Sequence, residues 1–286
     1  MTSIREVNSL TEEGLGPYRT LRRTADHLRD GIFVAEGELV VRRLIESGLE
    51  IVSLLLTPEW HERLAPQIEV LPSRRGQSRP EDGPTIFIAG KPLLESIVGF
   101  NLHQGIMAVG RVPEEPALDA VLQDAPHPLL LAALDGLVNA ENVGVIVRNC
   151  AALGAGAVIV DARAGSPYLR RAVRNSMGAV FRLPVLHVPS LPSTLGSLRR
   201  EYGIRVVAAC LQDAEPLEQA DLSGDVCIVF GNEGDGISEQ VLRECTIRVA
   251  IPMENNVDSL NVASASSVFL YEVRKQGRAG SQRSPG

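Results

Sequence analysis

From residue 129 to residue 272 the chain alternates short apolar runs with stretches of helical periodicity, and this alternation restricts the fold more than any other feature. The runs LLLAAL, AVIVD, LPVLHV, IRVVAA, VCIVFG and IRVAIP have strand length and are rich in Val, Ile and Leu. Between them, residues 142–153, 169–176 and 191–202 place apolar side chains at helical spacing. A further helix is expected after Ser238, and a last one from about Ser259. Strands alternating with helices imply crossover connections and a parallel sheet covered on both faces.

The N-terminal part is patterned differently. Residues 37–47 put Leu39, Val40, Leu44 and Ile45 on one helical face ahead of Gly48, and the run IVSLLLT before Pro58 reads as a strand. Further strands are expected at 68–71, 85–89 and 106–109, so residues 1–112 form a small α/β unit. Residues 113–127 concentrate proline and acidic side chains and read as a linker. The second domain then spans 128–275, and the polar tail 276–286 is expected to be disordered. The chain shows no internal repeat.

Composition narrows the function classes. The 286 residues are 44% hydrophobic, yet no apolar run approaches the roughly 18 residues of a membrane span. The N-terminus MTSIREVNSLTEEG lacks the basic and apolar regions of an export signal, so a cytoplasmic protein is expected. Cys150, Cys210, Cys227 and Cys245 are too scattered for a CxxC metal site or a disulfide framework. A net charge of −7 disfavours nucleic acid, but residues 163–182 carry Arg163, Arg170, Arg171, Arg174 and Arg182 with no acidic residue among them. This strip reads equally as a solvated helix face or as a surface where Arg170, Arg171 and Arg174 hold RNA phosphates.

Three loops carry polar groups in excess of local need. In LDGLVNAENVGVIVRNCAALGAGAVIVD, a helix capped by Asn142 gathers Val143, Ile146, Val147, Cys150 and Leu153 into an apolar arc, and Arg148 points away from it. Gly144, one turn before Arg148, leaves room for a ligand. In VCIVFGNEGDGIS a strand runs directly into Gly231, Asn232, Glu233, Gly234, Asp235 and Gly236, at the end of a strand where open α/β sheets bind ligands. In RVAIPMENNVDSLNVASASSVFLYE, Ser259 is the expected helix cap, while Asn255, Asn256, Asp258 and Asn261 crowd the same helix start. Each loop alone also fits an ordinary turn or a solvated arginine. The glycines of ALGAGAVIVD follow a helix and precede a strand, the reverse of a dinucleotide fingerprint, and the chain has no GxxxxGK[ST], HExxH or GxSxG.

Taken together and in order, NVGVIVRNCAALGA, IVFGNEGDGIS and IPMENNVDSLNVASASSVFLYE resemble the three signature motifs of the SpoU/TrmH branch of the SPOUT superfamily, the RNA ribose 2'-O-methyltransferases. The stretches FVAEGELVVRRLIESG and HQGIMAVGRVP are similar to the ribosomal-protein-like substrate-binding domain that many members carry. The resemblance implies an α/β fold with a trefoil-knotted C-terminal methyltransferase domain, S-adenosylmethionine bound in the knot, a homodimer and no metal. It places Gly231, Ile251 and Leu260 around the cofactor and gives Asn142, Arg148, Glu233, Ser259 and Asn261 to catalysis.

The resemblance also leaves points open. Arg148 is either the base that family proposals make it or a cation that positions a phosphate, since arginine normally stays charged. Two departures from the family pattern stand out: Asn139 and Ala140 replace a common Asp-Pro, and a common glycine is replaced near Asn256. The accessory domain tilts the expected substrate towards ribosomal over transfer RNA. Rival readings are a non-catalytic RNA-binding protein on the same fold and a small-molecule enzyme on a doubly wound sheet.

Overall fold

The computed structural model describes residues 3–71, 83–98 and 105–281. In chain order the elements are β1 (Ser3–Val7), α1 (Gly16–Arg19), α2 (Thr24–Arg29), β2 (Ile32–Glu36), α3 (Glu38–Ser47), β3 (Ile51–Leu56), α4 (Pro58–Glu69), β4 (Thr85–Ala89), α5 (Lys91–Val98) and β5 (Ile106–Arg111). They continue with α6 (Leu118–Asp124), β6 (Leu130–Leu134), α7 (Ala140–Leu153), β7 (Ala157–Asp161), α8 (Arg170–Asn175), β8 (Val185–Val188) and α9 (Leu191–Arg200). The last are β9 (Arg205–Ala209), β10 (Glu215–Pro216), β11 (Val226–Phe230), α10 (Glu239–Leu242), β12 (Ile247–Ala250) and α11 (Val262–Ser281). The chain divides into two compact units, Met1–Glu114 with Tyr168–Phe181, and Glu115–Pro167 with Arg182–Gly286.

In the first unit, five strands among the described residues form a mixed sheet in the order β1-β4-β3-β5-β2. β4 runs parallel to β1 and β3, while β5 runs antiparallel to β3 and β2. Tyr18 is fully buried in its core, and burial is made tolerable by the 2.9 Å hydrogen bond between its hydroxyl and that of Ser53. The segment Tyr168–Phe181, which the strand–helix alternation assigns to the second domain, groups here instead. Tyr168 and Phe181 pack their rings on Phe33 at 5.6 and 5.2 Å, and Arg170 donates to Glu36 at 2.5 Å.

That ion pair revises one expectation about the arginine strip. Glu36 is 5% exposed and Arg170 18%, so the guanidinium compensates a buried carboxylate and is not displayed to solvent. Arg174 also reaches Glu36, at 3.9 Å, but remains half exposed. Three other expectations are corrected. Residues 68 and 69 end helix α4, in which Trp60, Leu64 and Ile68 make a buried helical stripe, so the expected strand at 68–71 is absent. The linker contains helix α6, whose Val121 and Leu122 are buried. The supposed tail is helical to Ser281, because α11 continues beyond Lys275; residues 282–286 lie outside the described residues, as do His103 and Gln104 of the N-terminal resemblance.

The second unit holds a sheet of seven strands among the described residues, ordered β10-β12-β9-β11-β6-β7-β8 and parallel throughout. β6, β7 and β11 are buried at every position, as expected of strands covered on both faces. Cys150 and Cys227 pack in the interior, and burial pushes the Cys150 thiol up to about 12. α7 is capped by Asn139, not by Asn142: its side-chain oxygen accepts from the N–H groups of Glu141 and Asn142 at 2.9 and 3.3 Å. α11 lies against α7 through Asn149, whose amide donates to the Ala263 carbonyl and the Ser266 hydroxyl at 3.0 and 2.9 Å. Phe269 of α11 meets Phe230 edge to face at 6.2 Å.

Candidate active site

Because β9, β11 and β12 run parallel, their carboxyl ends lie at one edge of the sheet, where the loops that follow them enclose a cavity of about 530 Å³. Its wall comes from residues 209–212 at and after the end of β9, 230–237 at and after the end of β11, and 248–251, 253 and 259–262 from β12 and the loop that follows it, with Ala265 and Phe269 of α11. Gly231, Ile251 and Leu260 all stand on this wall, as do Glu233, Ser259 and Asn261.

The loop after β11 is a tight hairpin. Asn232 and Gly236 exchange backbone hydrogen bonds at 2.9 and 3.0 Å, and the Asn232 side-chain oxygen accepts from the N–H groups of Gly234 and Asp235 at 2.8 and 3.2 Å. A Cβ on Gly231 would lie 2.4 Å from the Gly236 carbonyl carbon, so the strand can enter this hairpin only with a bare backbone.

The loop after β12 answers why so many small polar residues gather there. Asn255 and Asn256 both adopt φ of +56°, the left-handed region that Asn occupies more readily than other residues with a side chain. These left-handed conformations lie where the resemblance leads one to expect a glycine, near Asn256. The cap of α11 is Asn261, whose side-chain oxygen accepts from the Ala263 N–H at 2.8 Å. Ser259, the expected cap, is exposed on the cavity wall and makes no hydrogen bond among the described residues.

Three of the expected catalytic residues are joined directly. Asn142 donates its amide to a Glu233 carboxylate oxygen at 2.8 Å, and its side-chain oxygen accepts from the Asn261 amide at 3.2 Å. One side chain from α7 therefore links both cavity loops. Arg148 stands apart from this cluster. It is exposed, lies outside the cavity wall and has no hydrogen bond or ion pair among the described residues. Gly144, expected to clear space beside it, is buried in the face of α7 that meets the protein interior.

Sequence pattern alone does not single out Asp135, gives Asn139 and Asn232 no role in organising these loops, and makes Arg163 one member of a strip. Arg163 is an intramolecular clamp: its guanidinium donates to Asp135 at 2.6 Å and to Asp161 at 2.9 Å. The hydrogen bonds and charges of these carboxylates hold the guanidinium even more firmly protonated than usual. A signal for Asp135 and Asp161 does exist in the sequence, since each follows or ends an apolar run and a carboxylate there must find a partner.

A parallel α/β sheet with a ligand-sized cavity at its carboxyl edge, rimmed by a hydrogen-bonded Asn–Glu–Asn cluster, has the architecture of an enzyme that binds a small molecule. Comparison with known proteins places it more closely. The family described as "SpoU rRNA Methylase family" matches residues 129–271. An uncharacterized tRNA/rRNA methyltransferase of Mycobacterium bovis is 33% identical over 253 residues, which are 86% of this chain and 82% of that protein. The 23S rRNA (guanosine-2'-O-)-methyltransferase RlmB of Acinetobacter baylyi is 34% identical over 192 residues, 66% of this chain and 77% of its own. The crystal structure of an AdoMet-bound rRNA methyltransferase from Sinorhizobium meliloti superposes with a TM-score of 0.79 at 25% identity, covering 95% of this chain and 98% of that one. The chain belongs to the SpoU rRNA methylase family.

Gly231→Ala tests the hairpin that carries Glu233. The added methyl must displace backbone rather than a pliant side chain, so the variant should lose about 1–3 kcal/mol in urea denaturation. An unchanged transition midpoint would show that the hairpin relaxes freely and does not depend on the bare backbone.

Proposed function

We propose that the protein transfers a methyl group from S-adenosylmethionine to a ribose 2'-hydroxyl in structured RNA, with ribosomal RNA favoured over transfer RNA. The observation that carries this reading is the Asn142–Glu233–Asn261 cluster at the rim of the cavity. Those residues come from separate motifs of the sequence, and chance gives no reason for them to share hydrogen bonds. The preference for ribosomal RNA rests on the names of relatives such as RlmB.

The cavity suits S-adenosylmethionine in size and in chemistry. Its volume lies in the range of small-molecule sites. Glu233 and Asp235 suit a positively charged sulfonium and ammonium, and Arg248 suits a carboxylate. Gly231, Ile251 and Leu260 would hold the cofactor through backbone groups and apolar contact, in a chain threaded as a trefoil knot. When bound, S-adenosylmethionine supplies a methyl group on a positively charged sulfur. That methyl would pass to the ribose 2'-oxygen, with the hydroxyl proton released to water. Asn142 holds Glu233 and Asn261 in fixed relation, and Ser259 is available beside them to hydrogen-bond substrate.

Arg148 is assigned to RNA, where its planar fork orients the ribose by gripping a neighbouring phosphate. Its place outside the cavity wall favours a homodimer, in which a second copy completes the site. The exposure of Val257, Leu260, Val268 and Tyr271, the last at 61%, fits the same arrangement, since α11 and the loop before it leave apolar side chains uncovered. Arg171 and Arg174 are assigned to phosphate contacts, and a cytoplasmic location follows from such a substrate.

The direct test is to incubate purified protein with labelled S-adenosylmethionine and RNA from cells lacking the protein, then map 2'-O-methyl sites. Arg148→Ala should abolish transfer while leaving cofactor affinity in calorimetry near wild type. Arg148→Lys should also be severely slowed, because it keeps charge but loses the fork; a wild-type rate in the Lys variant would sink the fork assignment. Neutralising Arg171 and Arg174 together should lower the salt dependence of RNA binding, by a slope of about 0.9 for each duplex phosphate that is no longer neutralised. An unchanged slope returns them to a solvated surface. Sedimentation should find a dimer at assay concentrations, and an active monomer would overturn the shared site.

A further inference from the structure

The least exposed carboxylate of the second unit, among the described residues, belongs to Asp135. Its side chain is 1% exposed, just past the carboxyl end of β6, and it does not line the cavity. A carboxylate so placed is stable only if both oxygens are satisfied. One accepts from Arg163 at 2.6 Å, and the other accepts from the backbone N–H of Ser238 at 2.7 Å. The Asp135 N–H donates to the Phe230 carbonyl at 2.9 Å, and the next carbonyl, of Gly136, accepts from the Asn232 side-chain amide at 2.8 Å.

These bonds fall before, inside and after the hairpin that carries Glu233. Phe230 precedes it, Asn232 organises it, and Ser238 follows it; all three are tied to Asp135 or to its neighbour Gly136. The same turn leads, through the Asn139 cap, into the first turn of α7 and so to Asn142. Arg163 extends the brace to Asp161 at the end of β7 with a 2.9 Å bond. One buried carboxylate thus fixes the distance between the element that supplies Asn142 and the loop that supplies Glu233.

We propose that Asp135, braced by Arg163, is a positioning residue that sets Glu233 in register with Asn142. The inference deepens the proposed methyl transfer and rests on the catalytic assignment of Glu233. It requires no contact of Asp135 with RNA or cofactor. Its effect is transmitted through the Ser238 N–H and the hairpin, so a variant that breaks this path should act only while Glu233 is present.

The test is a double-mutant cycle in the full chain, with methyl transfer to RNA from cells lacking the protein as readout. Asp135→Asn can satisfy only one of the two donors that face it. Ser238→Pro, whose ring fits the observed φ of −64°, deletes the N–H donor and leaves Asp135 untouched. Either variant should lower kcat by about a hundredfold, the scale of a small misplacement, with the KM for RNA unchanged. In a Glu233→Gln background neither should lower kcat further.

A wild-type kcat in both Asp135→Asn and Ser238→Pro overturns the inference. So does a loss of the same size with and without Glu233, which would mean a general structural role. If Asp135→Asn does not fold, Ser238→Pro decides by the same two criteria. Failure of the underlying reading is separate: Glu233→Gln alone would then methylate at the wild-type rate.

Discussion

The in-register parallel pairing of β11 with β6 on one side and β9 on the other is the constraint on which the rest of the second unit depends. Val226 to Phe230 are matched residue for residue with 130–134 and with 205–209, so three strands finish at the same level. Everything polar that the chain must place then begins from one edge. Asp135 follows β6, Gly231 follows β11 and Cys210 follows β9, and the cavity opens among the loops that leave this edge. A slip of one residue in β11 would turn its alternate side chains to the opposite face and carry Glu233 out of reach of Asn142.

Once the edge is fixed, the loops face a backbone problem rather than a packing problem. Their turns need conformations that ordinary side chains resist, and the chain meets this in three ways. Gly231 drops its side chain where the hairpin closes on itself. Asn255 and Asn256 take left-handed conformations. Asn139 caps α7 where an Asp-Pro pair is common in the family, and Ala140 opens the helix in the proline's place. Asn suits the last two tasks because its side-chain oxygen accepts from free backbone N–H groups and because it tolerates positive φ.

The parts of this protein legible in its sequence are those governed by local pattern. The strand 85–89, the strand expected at 106–109 and found to reach Arg111, and the buried strands of the second sheet follow from apolar runs; α3 follows from its spacing and Gly48, though Leu39 of the expected face is exposed and Val41 is buried in its place. The joined set Asn142, Glu233 and Asn261 is legible only through the order of three motifs, since their contacts span 91 and 119 residues. What sequence cannot supply is partnership at a distance. Arg170 looks like a surface cation until Glu36, 134 residues earlier, is found beneath it. The helix caps fall on Asn139 and Asn261 rather than on Asn142 and Ser259, because several adjacent side chains could serve and only backbone geometry chooses among them.

Charge pairing also bears on how an acidic chain meets a polyanion. Of the five arginines between residues 163 and 182, Arg163 and Arg170 are committed to Asp135, Asp161 and Glu36, so part of the strip's positive charge is matched within the protein. Long-range attraction would therefore be weak, and recognition would have to come from a few cations held where they can act at short range. Arg148 meets the physical requirement for that proposed role: it is exposed, its side chain is uncommitted among the described residues, and it is fixed to a helix whose first turn already carries Asn142. With so few cations displayed, binding of a polyanion would depend on matching several of them at once.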